Sequence, residues 1–476
     1  MSYELYKDFW VKLRAEAVKQ AEHAIGSTRG FVAAFNVNVD AVKLLREGDF
    51  NRLASKANVR AEELKAAEPP PEASEPRHVV LALAKALIEG SGFEIPIASS
   101  RVADWLSETL RADEYRMGGQ AGISSNVLSV LGVKRVYVHV ASMPLLQAKL
   151  FRGDGVLVPR VKGGVLKALH PLEAYSELDE PMIHWVFEFQ EGYRDEVNGF
   201  EVKAPRSDRF IASYDPLNSS LHVDSAFEKF MRREVANVDK ALISGFQLVR
   251  PLYPDGSTFK DKISRFKGVI EEWRELNPDL WIHVEQAFMS NMELLRHSVL
   301  ELTRCASSYG LNEVELELLA SSLSVKSTRK GPLHVLEELK SMINTLGVEL
   351  LVLHTRDYSL ALAKQSGENV ARSLWFGCML AAARTTTGFE VGLRDVLRVL
   401  DRARLPMSFE AFKFHSELAE SLGVRLGERD LLEGLEYGGY VVVVVPSLVN
   451  PKPVRSVGLG DTFTAGFLAS LLSTRP

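Results

Sequence analysis

Val457, Gly458, Leu459, Gly460 and Asp461 stand almost at the C-terminus, ahead of an apolar segment with the pattern of a helix. Glycines let a backbone turn tightly, so several amide N–H groups can converge on one anion. The helix start adds the positive end of its dipole to the same spot. Asp461, between turn and helix, sits where a carboxylate can take the proton of a hydroxyl attacking that anion. The constellation suits phosphoryl transfer to an alcohol. A helix-capping aspartate after a glycine turn is the plain alternative.

Other polar groups gather near the ends of apolar runs. Asn38 and Asp40 alternate on one face where the first strand runs out. An amide beside a carboxylate matches the donors and acceptors of adjacent sugar hydroxyls, although Asn and Asp also populate ordinary turns. Asn312 and Glu315, spaced i and i+3, share a face if helical and can orient the waters of a magnesium ion together. A solvated helix face is the other reading of Glu315. Glu285 and His354 each close an apolar run.

The elements that must position these groups alternate in type. Short apolar runs at 31–35, 136–140, 241–245, 281–285, 350–354 and 441–445 read as strands of a parallel sheet covered on both faces. Helical patterns fall at 121–131, 224–237, 259–276, 289–305, 333–346, 368–387 and 408–421, with a further amphipathic helix over 3–25. This predicts an α/β fold whose ligands bind beyond the C-terminal strand ends. Two stretches break the alternation: 41–116 is Glu- and Lys-rich, and 142–222 reads as short strands separated by turns such as Asn198-Gly199. They are expected to form one smaller α+β lid. The predicted division is 1–40, 117–141 and 223–476 for the large domain, and 41–116 with 142–222 for the lid. A lid would exclude water from phosphoryl transfer.

Composition narrows the classes. The 476 residues are 46% hydrophobic and 25% charged, so the chain can bury more than one core. With 57 Lys plus Arg against 62 Asp plus Glu, there is no global basic footprint for nucleic acid. Two cysteines, Cys305 and Cys378, form no CxxC pair, which argues against a disulfide framework or a thiolate zinc site. The first thirty residues lack a signal-peptide core, and a membrane span is not expected. The expectation is a cytoplasmic protein, a monomer or small homo-oligomer, binding small molecules rather than nucleic acid or membrane.

Taken together, the motifs resemble the ribokinase superfamily and, within it, the ADP-dependent sugar kinases. The landmarks run in order over nearly the whole chain: Asn36 to Asp40, Arg116 to Gly122, His283 to Glu285, Gly310 to Glu315, His354-Thr355 and Val457 to Asp461. The resemblance implies a ribokinase-like (Rossmann-like) large domain with a mostly parallel central sheet, a lid, and transfer of the β-phosphoryl group of ADP to a sugar. It implies Asp461 as catalytic base, the amides of Gly458, Leu459 and Gly460 as the anion site, and Arg209 reaching from the lid to the nucleotide phosphates. Asn38, Asp40, Glu94, Gly118, Gly119, Gln120 and His184 would bind the sugar. His354, Val445, Val457 and Asp461 would meet the nucleotide, and Glu285, Asn312, Glu315 and Asp461 would serve Mg²⁺.

The family divides between glucokinases and phosphofructokinases. Glu94 resembles the lid glutamate of the glucokinases, and Gln190 and Glu191 stand where phosphofructokinases tend to be basic. His170 resembles the glucokinase form where a phosphofructokinase lysine is expected. Against these, Lys167, Arg194 and Arg206 could hold a sugar phosphate. The expectation is an ADP-dependent glucokinase. A 6-phosphofructokinase or bifunctional enzyme is the alternative, ahead of an ATP-dependent ribokinase-type kinase or a non-catalytic sugar or nucleotide sensor.

Overall fold

The protein was analysed as a computed structural model that describes residues 1–472 except 67, 326, 328, 365 and 456. Its large sheet has eleven strands. From one edge the order is Leu435–Tyr437, Tyr440–Pro446, Tyr358–Ala363, Leu350–His354, Ser308–Asn312, Trp281–Glu285, Lys240–Ile243, Phe31–Ala34, Val136–Val138, Val156–Lys162 and Val165–Leu169. Every pairing from Leu350–His354 to Val156–Lys162 is parallel, and antiparallel strands close both edges. The parallel stretch is covered by helices, which is why runs such as Phe31–Ala34 and Trp281–Glu285 are buried throughout rather than alternating. The predicted helices occur at Gln120–Leu131, Ser225–Glu234, Phe259–Leu276, Met292–Thr303, Pro332–Leu346, Gly367–Thr387 and Phe409–Ser421. Phe259–Leu276 starts at a capping box between Thr258 and Asp261, the local signal that fixes its first turn.

A second, five-stranded sheet runs Glu94–Pro96, Asp208–Tyr214, Ile183–Phe189, Asn38–Leu44, Glu114–Gly118. It has its own apolar core, built on Trp185, Phe187, Phe189, Phe210 and the helix Pro76–Glu89. Two expectations are corrected here. Asn38 and Asp40 do not end the first strand: Phe31–Ala34 belongs to the large sheet, and Asn38–Leu44 is a separate strand of the small one. The hairpin 156–169 extends the large sheet and packs on its core, so segment 142–222 joins the small sheet only from Ile183 onward. Both corrections have one cause. The partner of a strand is chosen by distant residues, whereas its existence is written locally. Among the described residues no helix is long and apolar enough to cross a membrane.

Candidate active site

Register in the small sheet sorts its polar residues. Asp40 is paired with Arg116 on one side and His184 on the other, and His184 with Ser213. Two residues along, Val42 pairs with Glu114 and Val186, Val186 with Ile211, and Ile211 with Glu94. One step further, Leu44 pairs with Glu188, and Glu188 with Arg209. Paired residues share a face, and so do residues two apart on a strand. Asn38, Asp40, Glu94, His184 and Arg209 therefore stand on one face, while Trp185, Phe187 and Phe210 fill the core behind. Arg209 is exposed and makes no ion pair among the described residues.

At the end of this face the chain forms a cradle. A Cβ on Gly118 would fall 2.2 Å from Asp40 Oδ1 and 2.3 Å from Asn38 Nδ2, so only glycine lets these groups stand so close to the backbone. Asn38 Nδ2 donates to Asp40 Oδ1 at 2.8 Å, and Gln120 Nε2 donates to the carbonyl of Gln286 at 3.0 Å. The opposite ends of these amides, Asn38 Oδ1 and Gln120 Oε1, are buried without a hydrogen-bond partner, as is Asn36 Oδ1. Buried acceptors lacking donors are uncommon in native proteins and call for hydrogen-bond donors from elsewhere. His184 Nε2 donates to Asp215 Oδ2 at 3.0 Å. Burial alone would lower this histidine, but Asp215, Glu94 and Asp40 raise it to about 9, so it is an imidazolium at neutral pH.

Facing the cradle is the start of helix Leu459–Ser470. Gly458 caps it in the left-handed region, φ 74°, where Ile123 and Arg384 would also crowd a Cβ. Asp461 lies in the first turn, half-buried, and Thr462 Oγ1 donates to the carbonyl of Gly458 at 2.7 Å. Burial raises Asp461 to about 6, with Glu285 adding to the rise and Arg384 and His354 opposing it; Asp40 of the small sheet is also within electrostatic reach. Glu285 is held between His283 Nε2 at 2.8 Å and His354 Nε2 at 2.9 Å. Burial would raise it, yet the two histidines bring it to about 2. Glu315 is pushed by burial to about 7, reinforced by Glu285 and Asp461.

Asn312 and Glu315 are placed differently from the expectation. Asn312 is the last residue of its strand and caps the helix Glu313–Ser322; it accepts from Val314 N and Glu315 N while Glu315 Oε2 accepts from Asn312 N. They form a capping box rather than one helix face, and Glu315 is buried rather than solvated. Among the described residues no three His, Cys, Asp or Glu side chains converge as a direct metal-ligand set. The concentration of negative charge on Glu285, Glu315 and Asp461 fits a hydrated dication held through its waters.

A cavity of about 610 Å³ opens beside this turn, lined by His354, Thr355, Leu448, Asn450, Gly460 and Phe463 among others. Val445 does not line it. That residue is fully buried inside the sheet opposite Ser359, and the wall begins two residues later, where the chain leaves the strand at Ser447. Val457 is half-buried in the preceding turn, outside the lining.

A sequence model of the ADP-specific phosphofructokinase/glucokinase conserved region matches residues 29–470. The chain belongs to that family. It is an ADP-dependent sugar kinase with a ribokinase-like fold. A glucose/glucosamine kinase of Pyrococcus furiosus is 30% identical over 467 residues, covering 96% of this chain and 97% of the relative. An ADP-specific phosphofructokinase of Methanosarcina acetivorans is 30% identical over 487 residues, covering 98% and 97%. The solved structure of the last common ancestor of ADP-dependent phosphofructokinases from Methanosarcinales superposes with TM-score 0.85 at 28% identity, over 100% of this chain and 99% of that one. A second solved structure, an ADP-dependent kinase complex with fructose-6-phosphate and ADPβS, gives a TM-score of 0.81 at 26% identity over the same shares.

In this kinase the basic residues considered for a sugar phosphate lie off the polar face of the small sheet. Lys167 is on the edge hairpin of the large sheet, and Arg194 is in the two-stranded hairpin with Phe200–Lys203. Arg206 donates to the carbonyl of Gly90. His170 caps the short helix Pro171–Ala174. Sequence reasoning missed Arg384, Arg455 and Glu114. Arg384 carried a readable sign, a single cation in the last turn of the largely buried helix Gly367–Thr387.

Proposed function

We propose that this sugar kinase is an ADP-dependent glucokinase, moving the β-phosphoryl group of ADP to the primary hydroxyl of glucose and releasing AMP. The observation that carries the reading is the cradle at Gly118: orphaned acceptors on Asn36, Asn38 and Gln120 beside the carboxylates of Asp40 and Glu94. Such a lining takes up hydroxyl donors and opposes a dianionic sugar phosphate. Of the two cations paired with Asp40, Arg116 is already engaged by Glu114 at 2.9 Å and Glu188 at 3.7 Å, and the His184 imidazolium by Asp215 at 3.0 Å.

Asp461 acts as the base. The acceptor oxygen attacks phosphorus, the bond to the bridging oxygen breaks, AMP leaves with the electron pair, and the acceptor proton passes to the carboxylate. The amides at Gly458–Gly460 meet the charge spread over the phosphoryl oxygens. His354, held by Glu285, borders the nucleotide cavity, where the tilted ring of Phe463 lies 5.3 Å from its own. Mg²⁺, bound through water on Glu315 and Asp461, would supply charge neutralisation of the diphosphate. The small sheet serves as the lid, and its approach carries Arg209 toward the phosphates.

Fructose 6-phosphate as acceptor is the second reading, favoured by the phosphofructokinase names among the relatives. Initial rates of AMP formation from ADP with glucose and with fructose 6-phosphate separate the two. A kcat/KM for fructose 6-phosphate equal to or above that for glucose overturns the glucokinase reading, and activity with ATP alone overturns the donor.

A further inference from the structure

Arg384 lies in the last turn of Gly367–Thr387, packed against the helix that carries Asp461; a Cβ on Gly377 would fall 2.8 Å from the carbonyl oxygen of Phe463. The arginine is 7% exposed. Its Nη1 donates to Thr462 Oγ1 at 3.0 Å and lies 3.3 Å from Glu390 Oε1. Glu390 is itself shared, with Arg152 Nε at 3.5 Å. Nε of Arg384 is buried with no partner, and Nη2 makes no hydrogen bond among the described residues. Nη2, without a partner among the described residues, stands 3.2 Å from the position a Cβ would take on Gly458, so this edge of the guanidinium is aimed into the turn. A guanidinium carries five donors, and leaving the buried Nε unfilled is costly. Arg116 and Arg455 stand within electrostatic reach of the same group. The helix start and a buried cation with open donors thus converge on one point, and both call for an anion there.

We propose that Arg384 is a further catalytic residue of the phosphoryl transfer, donating from Nη2 to an oxygen of the group in flight at the Gly458 turn. The inference rests on the phosphotransfer reading given above. As the acceptor O–P bond forms and the bond to the AMP oxygen breaks, charge is spread over the peripheral oxygens, and a fixed guanidinium meets it without reorganising. Unlike Arg209, which rides on the small sheet, Arg384 is anchored beneath the turn by Thr462 and needs no closure to be in place. Its action is therefore on kcat, with little on the binding of either substrate.

The test compares Arg384→Gln, Arg384→Lys and Arg384→Ala with Thr462→Val, which removes the strut between the two helices and leaves the guanidinium. Expected is a fall in kcat of about 10²- to 10³-fold for Arg384→Gln, the size seen when one preorganised donor is lost. KM for ADP and acceptor should stay within about threefold, Lys should recover part of kcat, and added guanidinium should partly rescue Arg384→Ala, as expected for a donor to the anion. Thr462→Val should lose much less turnover than Arg384→Gln, because Glu390 still holds Nη1. If Arg384→Gln keeps kcat, or raises only KM, the proposal is wrong. It is equally wrong if Thr462→Val loses as much as Arg384→Gln in step with a lower melting temperature, because the arginine is then a strut. Should Arg384→Gln not fold, Arg384→Lys and the guanidinium rescue decide. A wild-type protein that forms no AMP from ADP with any hexose defeats the underlying reading instead, whatever the variants do.

Discussion

Arg455, three residues before Gly458, donates through Nη2 to Oε1 of Glu114 on the outer strand of the small sheet. Oε2 of the same carboxylate receives Arg116 Nε at 2.9 Å. One side chain thus joins the sheet that bears Asp40 to the segment leading into the Gly458 turn. Glu114→Gln keeps the shape and removes the charge. The acceptor KM is expected to rise several-fold with the melting temperature nearly unchanged, because a half-exposed ion pair adds little to stability. Steady-state kinetics beside thermal melts check this, and an unaltered KM denies the pair any part in closure.

Asp461→Asn removes the proposed base and keeps the volume. The kcat should drop by about 10³-fold, within the range for loss of general base catalysis, while ADP still binds within a few-fold of wild type by calorimetry. A variant with near-normal turnover would remove Asp461 from the mechanism.

The acid limb of kcat/KM should fall with an apparent pKa of about 6, since burial raises Asp461 to that value and only its ionised form accepts a proton. Asp461, Glu315 and Glu285 interact, so the observed value belongs to the group. A profile flat down to pH 5 contradicts the assignment.

Glu315 gives a stability signature of the opposite sense to an ordinary salt-bridged carboxylate. Its folded pKa, about 7, lies above the ordinary 4.5, so its contribution is fully present below pH 4.5 and is lost as pH rises through 7. Glu315→Gln preserves the capping box and cannot ionise. Without metal or nucleotide, the variant should melt higher than wild type by a margin that widens from pH 4.5 to 7. A constant margin would show that Glu315 titrates normally.

Glu94→Ala should lower kcat/KM for glucose at least tenfold, as expected when a hydroxyl loses a charged partner, and should narrow the gap to fructose 6-phosphate. Rate ratios for the two acceptors measure it. An unchanged ratio moves the source of selectivity elsewhere on the small sheet.

Arg209→Ala should raise the KM for ADP and lower kcat together if the proposed closure of the small sheet carries its side chain, which makes no ion pair among the described residues, to the phosphates. Effects on the sugar KM alone would assign it to the acceptor instead.

Much of the architecture is written in short-range pattern. The unbroken apolar run 441–445, the helix 259–276 with its Thr258 cap and the glycine turn before Asp461 depend on neighbours within about one helical turn or two strand residues. For the same reason Glu285 and His354 could be placed at the ends of their strands and Asp461 at a helix start, whereas Asn38, read as ending the first strand, opens a different one. What the sequence could not decide is which strand pairs with which. The separation of Phe31–Ala34 from Asn38–Leu44, and the hairpin 156–169 added to the large sheet, rest on contacts between residues far apart along the chain. That pairing sets Asp40, His184, Glu94 and Arg209 on a single face, and helix packing alone turns Arg384 from an odd charge in an apolar run into a guanidinium beneath Gly458. Local periodicity dictates which face of an element is apolar; only the closing of the core dictates what that element meets.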